Sequence, residues 1–237
     1  MRILVFQHLD CEHPGAFREL MRTHDIDWHV AELDQGDSIP EMEPFDALWV
    51  MGGPMDVWDV AEHPWLIAEK RAIRQWIKHI GKPYLGLCLG HQLLADALNG
   101  TCGPQRPAEV GIRRVSLTEA AQNDALFSGL PAQMSVLQWH GVQVAQAPEG
   151  AEILASSANC PIEAMRVGTN AWSMQFHVEA EKDTVANWAA IPAYHAALLE
   201  TLGADGLGAF QAESDACMDE FRTCSRIIFA NFLKQMQ

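Results

Sequence analysis

Three apolar runs, Ile3-Leu4-Val5-Phe6, Ala47-Leu48-Trp49-Val50-Met51 and Tyr84-Leu85-Gly86-Leu87, constrain this fold more than any other feature. A strand with one wet face alternates apolar and polar residues. An unbroken run is what a strand buried on both faces requires, and such strands belong to parallel sheets. The runs sit inside longer strand readings, Arg2 to His8 and Phe45 to Met51, while Asp27 to Leu33 alternates loosely as a further strand would. Pro14 to His24 and His63 to Ile80 have helical character. Pro64 is tolerated in a first turn, and Trp65, Ile73, Trp76, Ile77 and Ile80 predict one buried stripe. Gly90 to Asn99 continues as a helix, with Gly100 capping its end.

Strands alternating with helices at this spacing predict an α/β fold: a flavodoxin-like, open, mostly parallel sheet with helices on both faces. From Thr101 to Gln175 the short runs IRRVSL, MSVLQW, VQVA, AEILAS, IEAMRV and AWSMQF extend the sheet with antiparallel pieces. Residues 181–237 are mostly helical. With no linker, repeat or low-complexity tract, the expectation is one domain over 1–237, a core of 1–180 carrying a helical C-terminal extension.

Composition excludes several classes. With 31 acidic and 16 basic residues the formal charge is −15, which repels phosphate backbones and argues against nucleic acid. No run approaches the ~18 apolar residues of a membrane span, and the short run after Met1 is no secretory signal. Cys11, Cys88, Cys102, Cys160, Cys217 and Cys224 have no close paired spacing, so they read as reduced thiols of a cytoplasmic protein, with no metal site. Cys217 and Cys224 read as packing residues on one helix face. The eight tryptophans read as core and pocket wall.

The segment Gly86-Leu87-Cys88-Leu89-Gly90-His91-Gln92 runs from a strand into a helix. A cysteine there stands at a helix N-terminus, where free N–H groups and the dipole favour a thiolate. Glycines on either side relieve crowding around a strained nucleophile, as in the G-x-S-x-G elbow. The N–H of Leu89 would face a developing oxyanion. Alone, this pattern favours a core thiol packed by Leu87 and Leu89, because glycine and cysteine are both common in buried turns.

A cysteine nucleophile needs an imidazole, and the imidazole needs an orienting group. His24, His63, His79 and His195 sit in polar or helical contexts and read as surface residues. Trp172 to Glu179 (WSMQFHVE) differs, because an apolar strand ends in His177 and Glu179. Residues two apart on a strand share a side, so the carboxylate can fix the tautomer and stabilise the imidazolium.

GLCLGHQ, with MGGP upstream and FHVE downstream, resembles the class I (triad) glutamine amidotransferases, most closely free-standing relatives of the GMP synthase glutaminase domain. The resemblance implies Cys88 as nucleophile, His177 as general base and acid, and Glu179 as its orienting carboxylate. It implies Gly53 and Leu89 as oxyanion-hole amides. Gln92 would hold the amino-acid end of the substrate, and His140 and Gly141 of the segment QWHG would line the pocket. Val178 stands where the family usually has proline, and Val142 where it has an aspartate.

The implied activity is hydrolysis of the glutamine side-chain amide through a glutamyl thioester. It needs no cofactor and releases glutamate and ammonia for an acceptor that the sequence does not identify. With no GxxxxGK[ST] loop and no second domain read in the chain, either a separate synthetase subunit receives the ammonia or the protein is a stand-alone hydrolase. Two alternatives remain open: a γ-glutamyl peptidase or hydrolase using the same residues, and a non-catalytic binding module of the same fold. Homo-oligomerisation is also left open.

Overall fold

The apolar runs become neighbouring strands of one nine-stranded sheet, and the computed structural model describes the whole chain, residues 1–237. β1 (Arg2–Gln7) pairs in parallel with β2 (Asp27–Glu32) and β3 (Ala47–Val50), and β3 pairs with β4 (Tyr84–Leu87). Every residue of β3 and β4 is buried, which is the physical reason for their unbroken apolar character. Alternate residues serve opposite faces. Ile3 and Val5 join one core cluster and Leu4 and Phe6 the other.

α1 (Phe17–Thr23) covers the first face. α2 (Trp65–Gln75) and α3 (Leu89–Ala97) cover the second. Three details differ from the sequence reading. The last turn expected of α2, Trp76–Ile80, is π-helical and closes on Gly81. Its buried stripe is Leu66, Glu69, Ala72, Ile73 and Trp76, with Trp65, Ile77 and Ile80 only half-buried, so a carboxylate sits within the apolar face. At the end of α3 the left-handed residue is Asn99 (φ 67°), and Gly100 donates its N–H to the Ala95 carbonyl at 2.8 Å.

The other half of the sheet is antiparallel. β5 (Thr101–Leu117) and β6 (Gln133–Gln146) form a long hairpin, interrupted by α4 (Glu119–Gln122). β6 unites the two runs MSVLQW and VQVA in one strand. β7 (Ala151–Ser156) and β8 (Ala164–Val167) lead back to β9 (Ala171–Met174), which lies parallel to β4. The strand order is β2-β1-β3-β4-β9-β8-β7-β5-β6. The far end curls back, because Leu137 of β6 pairs with His177 beyond β9.

α5 (Thr184–Ala189), α6 (Pro192–Leu202) and α7 (Gly206–Gln235) follow. α7 inserts Phe229 and Phe232 into the core beside α1. Phe232 meets Trp49 and Trp172 edge-on, at centroid distances of 5.5 and 6.4 Å. No helix is long and apolar enough to cross a membrane. Trp58 departs from the expected core role of the tryptophans and is 44% exposed.

Because Phe232 is fully buried, Phe232→Ala should cost about 3–5 kcal/mol of stability. Urea denaturation measures this, and a loss under about 1 kcal/mol would mean that α7 merely rests on the surface.

Candidate active site

In parallel α/β sheets, ligands meet the carboxyl ends of the strands. Gly53 follows β3, Cys88 follows β4 and His177 follows β9, so the three lie at one end of neighbouring strands. Cys88 is the hinge between β4 and α3, with φ 50° and ψ −103°. L-residues rarely adopt that backbone.

The hinge is fixed from several sides. The Cys88 N–H donates to the Met174 carbonyl at 2.9 Å, and its own carbonyl accepts from His91 and Gln92. The Gly90 N–H donates to the Met51 carbonyl at 3.1 Å, and the Tyr84 hydroxyl donates to the Gly90 carbonyl at 2.8 Å. A Cβ on Gly90 would stand 2.1 Å from the Val50 carbonyl oxygen, and one on Gly86 2.5 Å from the Gly90 oxygen. Both glycines are therefore required by the approach of α3 to the strands. The N–H groups of Leu89 and Gly53 have no acceptor within the protein.

His177 exchanges backbone hydrogen bonds with Leu137, at 2.9 and 3.1 Å. β9 has already ended at Met174, so this bridge, rather than the expected strand continuation, presents the side chain. Nδ1 lies 2.6 Å from Glu179 Oε1, and Nε2 forms no closed hydrogen bond, with Cys88 as the group facing it. The Val178 N–H donates to Glu179 Oε2 at 3.0 Å. Proline has no such donor, so valine here adds a tie to the carboxylate. The edge of Trp188 packs on His177 at 4.7 Å. Burial alone would lower the His177 pKa. The Glu179 carboxylate overrides it and Cys88 adds to the effect, so the imidazole holds its proton well above the usual histidine range.

Residues 15–186 match the family described as glutamine amidotransferase class-I. The chain belongs to this family. Over 144 residues it is 33% identical to a glutamine-hydrolyzing GMP synthase subunit of Saccharolobus solfataricus, a match covering 60% of this chain and 72% of that one. It is 30% identical over 149 residues to gamma-glutamyl peptidase 3 of Arabidopsis thaliana, covering 60% and 58% of the two chains. Its matches to bacterial GMP synthases span about a quarter of those longer proteins, 26% in Thermomicrobium roseum. In fold it is similar to a solved glutamine amidotransferase of Thermotoga maritima, with TM-score 0.85, 23% identity and coverage of 100% and 97%.

In this amidotransferase-family chain the cleft over Cys88 is narrow, about 100 Å³, and its walls include Gly53, Gln92, His140, Gly141 and Tyr194. A roomier groove of about 650 Å³ between α1 and α7 includes none of the site residues predicted from the sequence. The Gln92 amide donates to the Val142 carbonyl at 3.1 Å and to Gln175 Oε1 at 3.0 Å, so both its donors are engaged within the protein. His140 Nδ1 donates to the same carbonyl at 2.9 Å, and burial pushes its pKa down to about 4. At neutral pH its 3.6 Å approach to Glu109 is therefore a contact rather than an ion pair. No group of three or more metal-ligating side chains stands together.

Sequence reasoning missed five residues here. Gln175 donates to the Cys88 sulfur at 3.5 Å. Tyr194 of α6 lines the cleft and donates its hydroxyl to buried Glu12. Burial raises the Glu12 pKa against the pull of His177. His8 and Glu69 form a fully buried pair. His8 sits at the carboxyl end of the first apolar run, a signal that could have found it. Nothing in the sequence distinguishes Glu69 from solvated helix charge.

Since Glu179 is what raises the His177 pKa, Glu179→Gln should lower it. Imidazole titration by NMR checks this: deprotonation at lower pH in the variant is expected, and an unchanged midpoint would contradict the assignment.

Proposed function

We propose that the chain hydrolyses the side-chain amide of glutamine through Cys88, His177 and Glu179. The observation that carries this reading is the strained Cys88 hinge, facing an imidazole whose other nitrogen is held by Glu179 at 2.6 Å. Family membership supports it.

The Cys88 thiolate adds to the γ-carbonyl carbon, and the oxyanion is received by the free N–H groups of Gly53 and Leu89. The His177 imidazolium gives its proton to the amide nitrogen as the C–N bond breaks and ammonia leaves. A glutamyl thioester remains on Cys88. His177, now neutral, takes a proton from water, which adds to the thioester. Collapse releases glutamate and restores the thiolate–imidazolium pair. Glu179 holds the imidazole's orientation and stabilises its cation through both steps. Gln92 shapes the pocket through Val142 and Gln175, leaving its carbonyl oxygen as the acceptor available to the substrate.

Similarity to a protein named as part of a GMP synthase supports delivery of the ammonia to a separate synthetase subunit. Similarity to a γ-glutamyl peptidase supports a second reading, in which the leaving group is the amine of a γ-glutamyl conjugate. A cavity of about 610 Å³ adjoins the cleft through Gly141, Ala193 and Ala197, and would accept that amine.

Glutamate release from glutamine and from γ-glutamyl dipeptides, measured side by side, separates the two. Ammonia from glutamine at a higher kcat/KM supports the first, and preference for dipeptides the second. Cys88→Ala should lower either rate by at least about 10⁴-fold. Undiminished turnover in that variant, or none from either substrate class in the parent, would overturn the proposal.

A further inference from the structure

Of the two amides proposed to receive the oxyanion, only one is fixed by regular structure. The Leu89 N–H is set by the first turn of α3, whereas Gly53 lies in a loop beyond the end of β3. Something else must aim it.

Behind that loop stands a histidine–carboxylate pair that the proposed reaction does not use. His8 follows β1 and Glu69 lies in α2, and neither side chain is exposed. Trp65 and Glu69 are one turn apart in α2 and meet the same ring. Trp65 stacks on His8 with centroids 5.4 Å apart and planes 10° apart, and Glu69 Oε1 lies 2.7 Å from Nε2. The remaining nitrogen, Nδ1, lies 2.8 Å from the Gly52 carbonyl oxygen. A carbonyl oxygen only accepts, so Nδ1 carries a proton and donates it. The ring is thus held in plane, in tautomer and in direction.

The Gly52 carbonyl and the Gly53 N–H belong to one peptide group. That group is trans, so its C=O and N–H point in opposite directions. Anchoring the oxygen on His8 turns the hydrogen away from His8, and Gly53 forms a wall of the cleft that holds Cys88. A donor on the carbonyl oxygen also polarises the amide and strengthens its N–H as a donor.

We propose that His8, held by Glu69 and Trp65, is a positioning residue that aims and polarises the Gly53 amide toward the oxyanion. The inference rests on the amide hydrolysis proposed above. No bond to His8 forms or breaks, and its Nδ1 proton stays in place throughout. Burial alone would lower the His8 pKa, but the Glu69 charge raises it, and in either protonation state Nδ1 keeps the proton that it donates to the Gly52 carbonyl.

The test compares the parent, His8→Leu and His8→Asn in kcat and KM on the better of glutamine and a γ-glutamyl dipeptide. Alongside runs alkylation of Cys88 by iodoacetamide, a displacement that forms no oxyanion. His8→Leu should lower kcat about 10–100-fold, below the 10²–10³ that follows outright loss of an oxyanion donor. KM and the alkylation rate should stay within about threefold of the parent. The Asn amide places a donor near the Nδ1 position, so His8→Asn should recover at least about a tenth of parental kcat.

A kcat within about threefold of the parent in His8→Leu, or an alkylation rate that falls in step with kcat, would overturn the inference. If His8→Leu does not fold, Glu69→Gln serves. It should cost about 3–10-fold in kcat at unchanged alkylation rate, and no loss would overturn the inference equally. A parent that releases no glutamate at all sinks the hydrolysis reading. An active parent with indifferent variants sinks this inference alone.

Discussion

The backbone of Cys88, held at φ 50° and ψ −103°, is the constraint on which the rest of the site depends. Such a conformation costs of order 1–3 kcal/mol and persists only where the surroundings over-determine it. Here they do. Met174 of β9, Met51 beyond β3 and Tyr84 of β4 each hold a backbone group at or beside the turn, and the Gly90 backbone packs against Val50. The parallel half of the sheet thus supplies both the strand ends and the anchors. Relaxing the hinge would swing the sulfur away from His177 and let the first turn of α3 lose its aim.

The second feature is how buried charge is handled. Glu12, Glu69 and Glu179 are buried near one another in a chain of net charge −15, and no lysine or arginine lines the cleft. Their partners are imidazoles, a tyrosine hydroxyl and backbone N–H groups. An isolated buried carboxylate is strongly disfavoured. Each of these is tied to a group at or beside the cleft: Glu179 to His177, Glu69 to His8, and Glu12 to Tyr194 in the cleft wall. The last tie brings in α6, so the C-terminal helices are part of the site and not only a cover for the sheet.

Most of this was legible in the sequence where local pattern and tertiary role agree. Uninterrupted apolar runs gave the parallel strands, and the glycines around Cys88 marked the turn. Strand alternation predicts that His177 and Glu179 share a side, yet β9 ends at Met174 and the bridge to Leu137 is what presents the imidazole. That bridge depends on the sheet curling, which no local pattern encodes. Glu69 was hidden for the opposite reason. A glutamate on an amphipathic helix looks solvated until a buried histidine from another strand is brought to it. Tyr194 and Glu12 lie far apart in sequence, and only the folded chain joins them. The match of residues 15–186 to the class-I glutamine amidotransferases then secures the family.

The most direct test of the account is to trap the covalent intermediate. Acid quenching during turnover of glutamine, followed by peptide mass analysis, should find a glutamyl thioester on the peptide that carries Cys88 and on no other cysteine. A chain that turns over substrate with Cys88 unmodified, or with the acyl group on a different residue, would contradict the account.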